Sequence, residues 1–328
     1  MAKKEPLVAI IVSNYNGASI KYEGRPILER CLSSLKKTAY GNFKVIVADD
    51  SSTDNSRLLA KKAFPGSDFV VNRPNGGFAK NNNNGIRYAM EKYKPEYVLL
   101  LNNDIIVKDR LWLSRMVDSS LKNGKIGIVG CKLLYPDGRV QHAGTVLKPL
   151  PYTRGNGERD CRKYSSMERV EAVIGAAMML NSAMLGKIGL LDENFVMGSE
   201  DTDICLRALS KGYKIIYNGE ASLIHLSGFS SITSRDEDMR LNAIYRSMRN
   251  MVYLMQKHKR TYRIYDRVIG YMIYILWSIL TIKGPSDIMQ LHKIRSRGNI
   301  GKRLKLALRG YRDGIKLAKR QAVAGLYG

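Results

Sequence analysis

Tyr97-Val98-Leu99-Leu100-Leu101-Asn102-Asn103-Asp104 decides how this chain is read. Five residues suited to a core follow Lys94-Pro95-Glu96 and then give way at once to polar ones. Such an unbroken run is a strand buried on both faces, and in an open α/β sheet the chemistry collects where such strands end. The strand therefore delivers Asp104 to a carboxyl edge. A single carboxylate at that place is also consistent with a helix cap or a turn, so its role depends on its surroundings.

Outward from this strand the same alternation recurs. Upstream, Leu7-Val8-Ala9-Ile10-Ile11-Val12 is a short apolar run that stops at the turn formers Ser13-Asn14-Tyr15-Asn16-Gly17. Ile27, Leu28, Cys31, Leu32 and Leu35 recur at helical spacing, with Pro26 suited to a first turn. Phe43-Lys44-Val45-Ile46-Val47-Ala48 is a second strand, closing on Asp49-Asp50-Ser51-Ser52-Thr53-Asp54 and a helix through Leu58, Leu59 and Lys62. Ser51 or Ser52 is the expected cap of that helix. Phe69-Val70-Val71 is a third strand, and residues 78–93 a further helix. Downstream come a helix near residues 111–121 and the strand Ile126-Gly127-Ile128-Val129-Gly130. Residues 136–166 are polar and weakly periodic, which suits a mobile active-site loop or a surface insertion. Residues 173–180 return to the core, residues 200–211 form a helix stopped by Gly212, and Tyr213-Lys214-Ile215-Ile216-Tyr217 is another strand. The pattern is that of an α/β protein with a doubly wound, mostly parallel sheet.

A chain of 328 residues holds one large α/β domain with an extension, or two domains. Its 54 Lys and Arg against 29 Asp and Glu leave a formal +25, which implies an anionic partner: nucleic acid, a membrane surface or phosphorylated small molecules. From Arg240 onward there are 20 basic and 3 acidic residues, so this tail alone carries +17. Within it Leu241, Ile244, Tyr245, Met248, Val252 and Met255 mark one face of an amphipathic helix surrounded by Arg240, Arg246, Arg249, Lys257 and Lys259. Residues 268–282 carry no formal charge. They are fewer than the roughly 20 a bilayer span needs, so this segment is read as interfacial or re-entrant, with a buried docking helix as the alternative. The basic amphipathic stretch 300–320 favours anionic lipid headgroups. The expected division is an α/β domain over 1–235 and a helical, basic, membrane-associated region over 236–328. Cys31, Cys131, Cys161 and Cys205 form no Cys-x-x-Cys pair, which speaks against a zinc knuckle or a disulfide framework and for reduced thiols. The opening Met1-Ala2-Lys3-Lys4-Glu5-Pro6 lacks a signal-peptide pattern, so a cytoplasmic protein at the inner face of the cell membrane is expected.

Four motifs stand at the ends of these elements. Asn14-Tyr15-Asn16-Gly17 and Asp49-Asp50 close two strands, and a carboxylate there accepts well from a base N–H or a ribose hydroxyl. Asn75-Gly76-Gly77-Phe78-Ala79-Lys80-Asn81-Asn82-Asn83-Asn84-Gly85 opens a helix with glycines, which let backbone N–H groups approach a phosphate or sugar. Asn102-Asn103-Asp104 offers the oxygen ligands that hard divalent cations choose, and Ile224-His225-Leu226-Ser227-Gly228 adds a histidine. Gly198-Ser199-Glu200-Asp201-Thr202-Asp203 sets three carboxylates at a helix start, whose positive end favours their ionised, basic forms, while Arg207 stands one turn beyond Asp203.

In this order the motifs resemble the inverting nucleotide-sugar glycosyltransferases of glycosyltransferase family 2, over about residues 7–260. The likeness is to the branch of rhamnosyltransferases and lipid-linked oligosaccharide assembly enzymes. The resemblance implies a GT-A, Rossmann-like fold and a nucleoside-diphosphate sugar as donor. It implies that Asp49 bonds the nucleoside and that Asn14, Asn16, Asp50, Asn75, Gly77, Phe78, Asn82, Asn102, Asn103 and Glu200 belong to the donor site. Asp104 falls in the Asn-x-Asp form of the family's metal motif, with His225 as second ligand to Mg²⁺ or Mn²⁺. Asp201 falls where the family places the base that deprotonates the acceptor hydroxyl. Ser51 stands where the family more often has Gly, and Lys80 where a small residue is common. The acceptor implied is a lipid-linked or other glycan. A nucleic-acid-binding protein using the basic tail is the alternative from another class; no nucleic-acid motif accompanies the charge. A nucleotidyltransferase would need a Gly-rich basic signature near the first strand, and a processive synthase several long apolar spans.

Overall fold

The computed structural model describes residues 5–147, 152–226, 237–280 and 300–323. The chain divides into two compact units, Met1–Thr145 with Thr153–Ser231, and Val146–Tyr152 with Ile232–Gly328. The expected boundary at 235/236 lies outside the described residues, as do Ser227 and Gly228.

The first unit is built on a ten-stranded mixed sheet. Its strands are β1 (Val8–Asn14), β2 (Phe43–Asp49), β3 (Asp68–Val71), β4 (Tyr97–Asn102), β5 (Ile105–Ile106), β6 (Ile126–Leu134), β7 (Val140–His142), β8 (Met167–Val170), β9 (Ala177–Asn181) and β10 (Lys214–His225). They lie in the order β8-β10-β6-β9-β4-β1-β2-β3, with β5 on β10 and β7 on β6. The half formed by β3, β2, β1 and β4 is the parallel, doubly wound sheet the alternation predicts. Beyond β4 the sheet becomes mixed, because β9 enters antiparallel between β4 and β6.

The helices of this unit are α1 (Ile27–Leu35), α2 (Ser56–Ala63), α3 (Gly77–Lys92), α4 (Trp112–Leu121), α5 (Ser182–Ile188) and α6 (Glu200–Ser210). Alternate residues of the central strands face opposite layers. Ile10, Val12, Val45, Val47, Leu99 and Leu101 join one core with Leu28, Leu32 and Leu35 of α1 and Trp112 and Met116 of α4. On the other face α3 approaches the sheet through Gly85, where a Cβ would lie 2.5 Å from Ile11 Cγ2 and 3.1 Å from Ala48 Cβ.

Three local expectations are corrected. Neither Ser51 nor Ser52 caps α2: the helix begins at Ser56 after Asn55, and Ser51 Oγ donates to Asn72 O while Ser52 Oγ donates to Asp49. The segment 136–166 contains β7, so it is no mere loop. The strand read over residues 213–217 runs on to His225 across an irregularity between Asn218 and Ser222. Gly219 lies in that irregularity, where a Cβ would strike Tyr164 O.

The second unit holds α7 (Glu237–Lys257), α8 (Ile264–Leu280) and α9 (Ile300–Val323). Small residues bring α9 against α7: a Cβ on Gly310 would lie 2.6 Å from Tyr245 O, and one on Gly314 2.7 Å from Arg249 O. The amphipathic stretch 300–320 therefore spends part of one face on an internal contact. Tyr271 of α8 meets Tyr311 of α9 edge to face with centroids 5.2 Å apart. On α8, Ile264, Val268, Ile269, Met272 and Leu276 are exposed. Among the described residues no helix is long and apolar enough to cross a membrane.

Gly85→Val forces α3 off the sheet or distorts a strand. Urea unfolding should show a loss of roughly 1–3 kcal/mol, the usual cost of overpacking a filled core.

Candidate active site

Parallel register sets the floor of the site. Asn14 at the end of β1 pairs with Asp49 at the end of β2, and Ser13 pairs with Asn102 at the end of β4. The polar residues that terminate three strands therefore stand within one residue of the same level. Asn14 and Asp49 are bonded to each other, and Asn103, next after Asn102, joins them. Asn103 Nδ2 donates to Asn14 Oδ1 at 2.7 Å, and Asn14 Nδ2 donates to Asp49 Oδ1 at 2.7 Å. Asp49 also accepts from Ser52 Oγ (2.6 Å) and Ser52 N (2.9 Å). Asn16, at φ 50°, accepts at Oδ1 from Thr53 N. Asn14, Asp49 and Asn103 are buried, as a network needs if every member is to keep a partner.

Asp50 takes a different part. Its carboxylate accepts from Gly76 N at 2.9 Å and Gly77 N at 2.8 Å, and from Asn72 Nδ2, while its backbone carbonyl accepts from Asn75 Nδ2. It thus satisfies the free N–H groups at the start of α3 and ties that helix to the end of β2. The asparagine run is likewise internal. Asn81 Nδ2 donates to Ala48 O, Asn83 Nδ2 to Leu191 O and Glu193, and Asn84 Nδ2 to Asn72 Oδ1. Asn82 is fully buried and donates to Phe78 O.

The fourth motif arrives through a strained turn. Val196 has φ 61° and Ser199 φ 77°, both left-handed and both costly for side chains of their kind. Gly77, itself at φ 80°, passes under Val196; a Cβ there would lie 2.6 Å from Val196 O. This contact sets α6 and its first residues, Glu200 and Asp201, beside the opening of α3. Gly175 N donates to Asp201 Oδ2 at 3.1 Å, and Thr202 N to Asp201 Oδ1 at 2.7 Å, so the carboxylate is held at both oxygens. Gly175 also lacks the Cβ that would press on the Phe78 ring, 3.2 Å away. Next to it, Ala176 O accepts from Asn102 N at 3.0 Å, which links the Asp201 side of the site to the metal motif.

Asp104 and His225, 121 residues apart in sequence by their numbers, meet because β5 pairs with the end of β10 and Leu226 N donates to Asp104 O. His225 Nε2 lies 3.1 Å from Asp104 Oδ1 and 3.4 Å from Asn102 Nδ2. Asp104 is buried and its Oδ1 has no hydrogen-bond partner. An orphaned carboxylate oxygen facing an imidazole nitrogen fits a cation between them. Among the described residues no group of three or more His, Cys, Asp and Glu side chains surrounds one point, so further ligands would come from a bound diphosphate and water.

The ionised forms expected at the start of a helix are not favoured here: burial raises the carboxyls of both Glu200 and Asp201 above their ordinary range. For Glu200 the neighbouring Asp201 charge adds to the effect, whereas the N–H groups of Gly175 and Thr202 oppose it at Asp201. Glu200 Oε2 has no partner. The buried Asp203 instead pairs with the half-buried Arg207, Nε to Oδ2 at 2.8 Å, in an i,i+4 bridge. Every site residue named from the sequence is thus in the first unit, at strand ends or at the starts of α3 and α6. Asp49, Asp50 and the asparagines have mostly internal partners, while Asn81 Oδ1, Asn82 Oδ1, Asp104 Oδ1 and Glu200 Oε2 are buried without one. The strained turn at 196–199, Gly175 and Gln141, whose Oε1 lies 2.6 Å from His225 Nδ1, were not singled out by sequence reasoning. No periodicity or spacing marks them.

The signature described as Glycosyl transferase family 2 matches residues 9–167. O-antigen biosynthesis protein RfbC of Myxococcus xanthus is 30% identical over 237 residues, 67% of this chain and 17% of that protein. N-acetylglucosaminyl-diphospho-decaprenol L-rhamnosyltransferase of Mycobacterium tuberculosis is 23% identical over 75% of this chain and 85% of its own length. The chain spans only 24% and 17% of the length of two of the curated relatives it matches. Among solved structures, mannosyltransferase PcManGT from Pyrobaculum calidifontis, in complex with GDP-Man and Mn²⁺, superposes with a TM-score of 0.53 at 17% identity, covering 99% of this chain and 76% of that one. The fold is thus that of GT-A glycosyltransferases.

The raised carboxyl of Glu200 makes a prediction with a definite sign. Above the usual glutamate range the folded chain keeps a proton that the unfolded chain has released, so this group's contribution falls as pH rises until Glu200 ionises in the fold. Glu200→Gln removes that loss. It should raise stability on the order of 1–2 kcal/mol at about pH 8.5 and far less at about pH 5, read as thermal midpoints across pH.

Proposed function

We propose that the chain, whose residues 9–167 match the glycosyl transferase family 2 signature, works as a member of that family and moves a sugar from a nucleoside-diphosphate donor to a hydroxyl of a glycan acceptor, inverting the anomeric centre. The observation that carries this reading is the meeting of the unpartnered Asp104 Oδ1 with His225 Nε2 at the strand ends, on the same crevice as a carboxylate fixed by two backbone N–H groups.

Asp201 is the base. Its oxygens are oriented by Gly175 N and Thr202 N, and its raised affinity for a proton suits it to take one from the acceptor hydroxyl. The acceptor oxygen then bonds to the anomeric carbon as the bond from that carbon to the diphosphate breaks. The proton ends on Asp201, the electron pair leaves with the nucleoside diphosphate, and no covalent intermediate on the protein is needed. A divalent cation, Mg²⁺ or Mn²⁺, held by Asp104 and His225 would supply positive charge to the departing diphosphate. The Asn14–Asp49 network and the start of α3, anchored by Asp50, form the donor side, and the Phe78 ring and Asp201 both border Gly175.

The acceptor proposed is lipid-linked, reached from the cytoplasmic face of the membrane by residues 236–328. Two observations support this. The relative from M. tuberculosis is named for a diphospho-decaprenol acceptor. On α8, Ile264, Val268, Met272 and Leu276 form an exposed stripe at four-residue spacing, beside Arg260, Arg263 and Arg267.

Turnover of a panel of nucleotide-sugars with Mg²⁺ or Mn²⁺ tests the reaction. One donor should be consumed only with metal, Asp201→Asn should lower kcat roughly 10²–10⁴-fold with nucleotide affinity kept, and Asp104→Ala should remove the metal response. Consumption of no donor under any of these conditions would refute the reading. For the membrane, Val268→Asp with Met272→Asp should weaken co-sedimentation with phosphatidylglycerol vesicles roughly tenfold or more, since each side chain buries on the order of 1.5–3 kcal/mol of apolar surface. Unchanged partitioning would count against α8 as the contact.

A further inference from the structure

Gln141 lies on β7, and its place there is unusual. Leu133 of β6 pairs with His142, yet the next residue, Leu134, pairs with Val140, so Gln141 is the extra residue of a β-bulge. Bulges re-aim a side chain, and they recur beside active sites. Here the bulged side chain is more than nine-tenths buried and meets the end of β10: its Oε1 stands 2.6 Å from His225 Nδ1.

An amide oxygen only accepts, so in this contact His225 Nδ1 carries the hydrogen. The neutral ring then has its lone pair on Nε2. The opposite side of the ring agrees, since Asn102 turns a donor, Nδ2, toward Nε2 at 3.4 Å. Were the hydrogen on Nε2 instead, that nitrogen, 3.1 Å from Asp104 Oδ1, would have no lone pair to offer a cation.

We propose that Gln141 is the positioning residue for His225: by accepting from Nδ1–H it holds the imidazole in the tautomer whose Nε2 lone pair faces Asp104, and so keeps the pair open to a divalent cation. This rests on the reading of Asp104 and His225 as metal ligands. Partners behind a ligating histidine commonly change metal affinity 10–100-fold when removed. Gln141 contributes through the ring alone, with no contact to metal or sugar required.

The test uses the full-length chain. In the metal-free protein labelled with ¹⁵N-histidine, two-bond ¹H–¹⁵N correlations, assigned with His225→Ala, should show His225 protonated on Nδ1. Gln141→Leu should move the proton to Nε2, and Gln141→Glu, which keeps an acceptor, should restore it to Nδ1. Binding of Mn²⁺ together with UDP, dTDP or GDP, followed by loss of the free-ion EPR signal, should weaken roughly 10–100-fold in Gln141→Leu and recover in Gln141→Glu. If Gln141→Leu keeps the Nδ1 proton, or binds Mn²⁺ as tightly as the parent while His225→Ala does not, the role of Gln141 is overturned and the metal site stands. If the parent binds no Mn²⁺ with any of these nucleotides, the metal assignment itself falls, a failure that the tautomer measurement keeps separate from any failure of Gln141.

Discussion

Three parallel strands with little freedom to slip govern this protein. β1 is buried along nearly its whole length, and β2 and β4 flank it with apolar residues on both faces. A shift by one residue would exchange every side chain between the two layers, so the register is strongly held. Polar residues follow each strand immediately, and the same register that buries Val12, Val47 and Leu101 brings Asn14 and Asp49 to one level, with Asn102 opposite Ser13 one residue before it. Core packing thereby positions the crevice with no separate device.

Much of the polarity at that level is spent on the protein itself. Asp49 has Asn14 and Ser52 as partners, and Asp50 terminates α3 through Gly76 and Gly77. A buried carboxylate is expensive unless hydrogen-bonded, and these are saturated. By contrast Asp104 Oδ1 and Glu200 Oε2 are buried without partners, and the Val196–Ser199 turn holds strained backbone. Those unpaid costs cluster where the loops from distant parts of the chain meet, which is the pattern of a site kept ready for a ligand rather than for stability. Hydrogen bonding also separates residues that look alike in the sequence: the carboxylates of adjacent Asp49 and Asp50 are engaged within the protein, while Glu200 Oε2 has no partner.

The basic tail shows a similar division. Its charge suggests one continuous lipid-facing surface, but Gly310 and Gly314 allow α9 to lie close against α7, so part of the amphipathic pattern serves helix packing. Much of the apolar surface left exposed in this unit is on α8, after Arg260 and Arg263. Helical periodicity alone does not distinguish a face that meets another helix from one that meets a bilayer.

What the amino-acid sequence determined by itself was local and periodic. Apolar runs such as 97–101 and helical spacing such as Ile27, Leu28, Cys31, Leu32 and Leu35 place the strands and helices of the parallel half, because the period of a strand or helix is set by neighbours along the chain. The ordered motifs named the residues of the crevice for the same reason: each sits directly after its strand or at the mouth of its helix. Tertiary structure alone decided the rest. Nothing in the spacing says that β9 enters antiparallel, that Leu226 bonds back to Asp104 and brings His225 with it, or that a bulge turns Gln141 toward the histidine. Those pairings join segments far apart in the chain through hydrogen-bond register, and a register exists only once two strands have met.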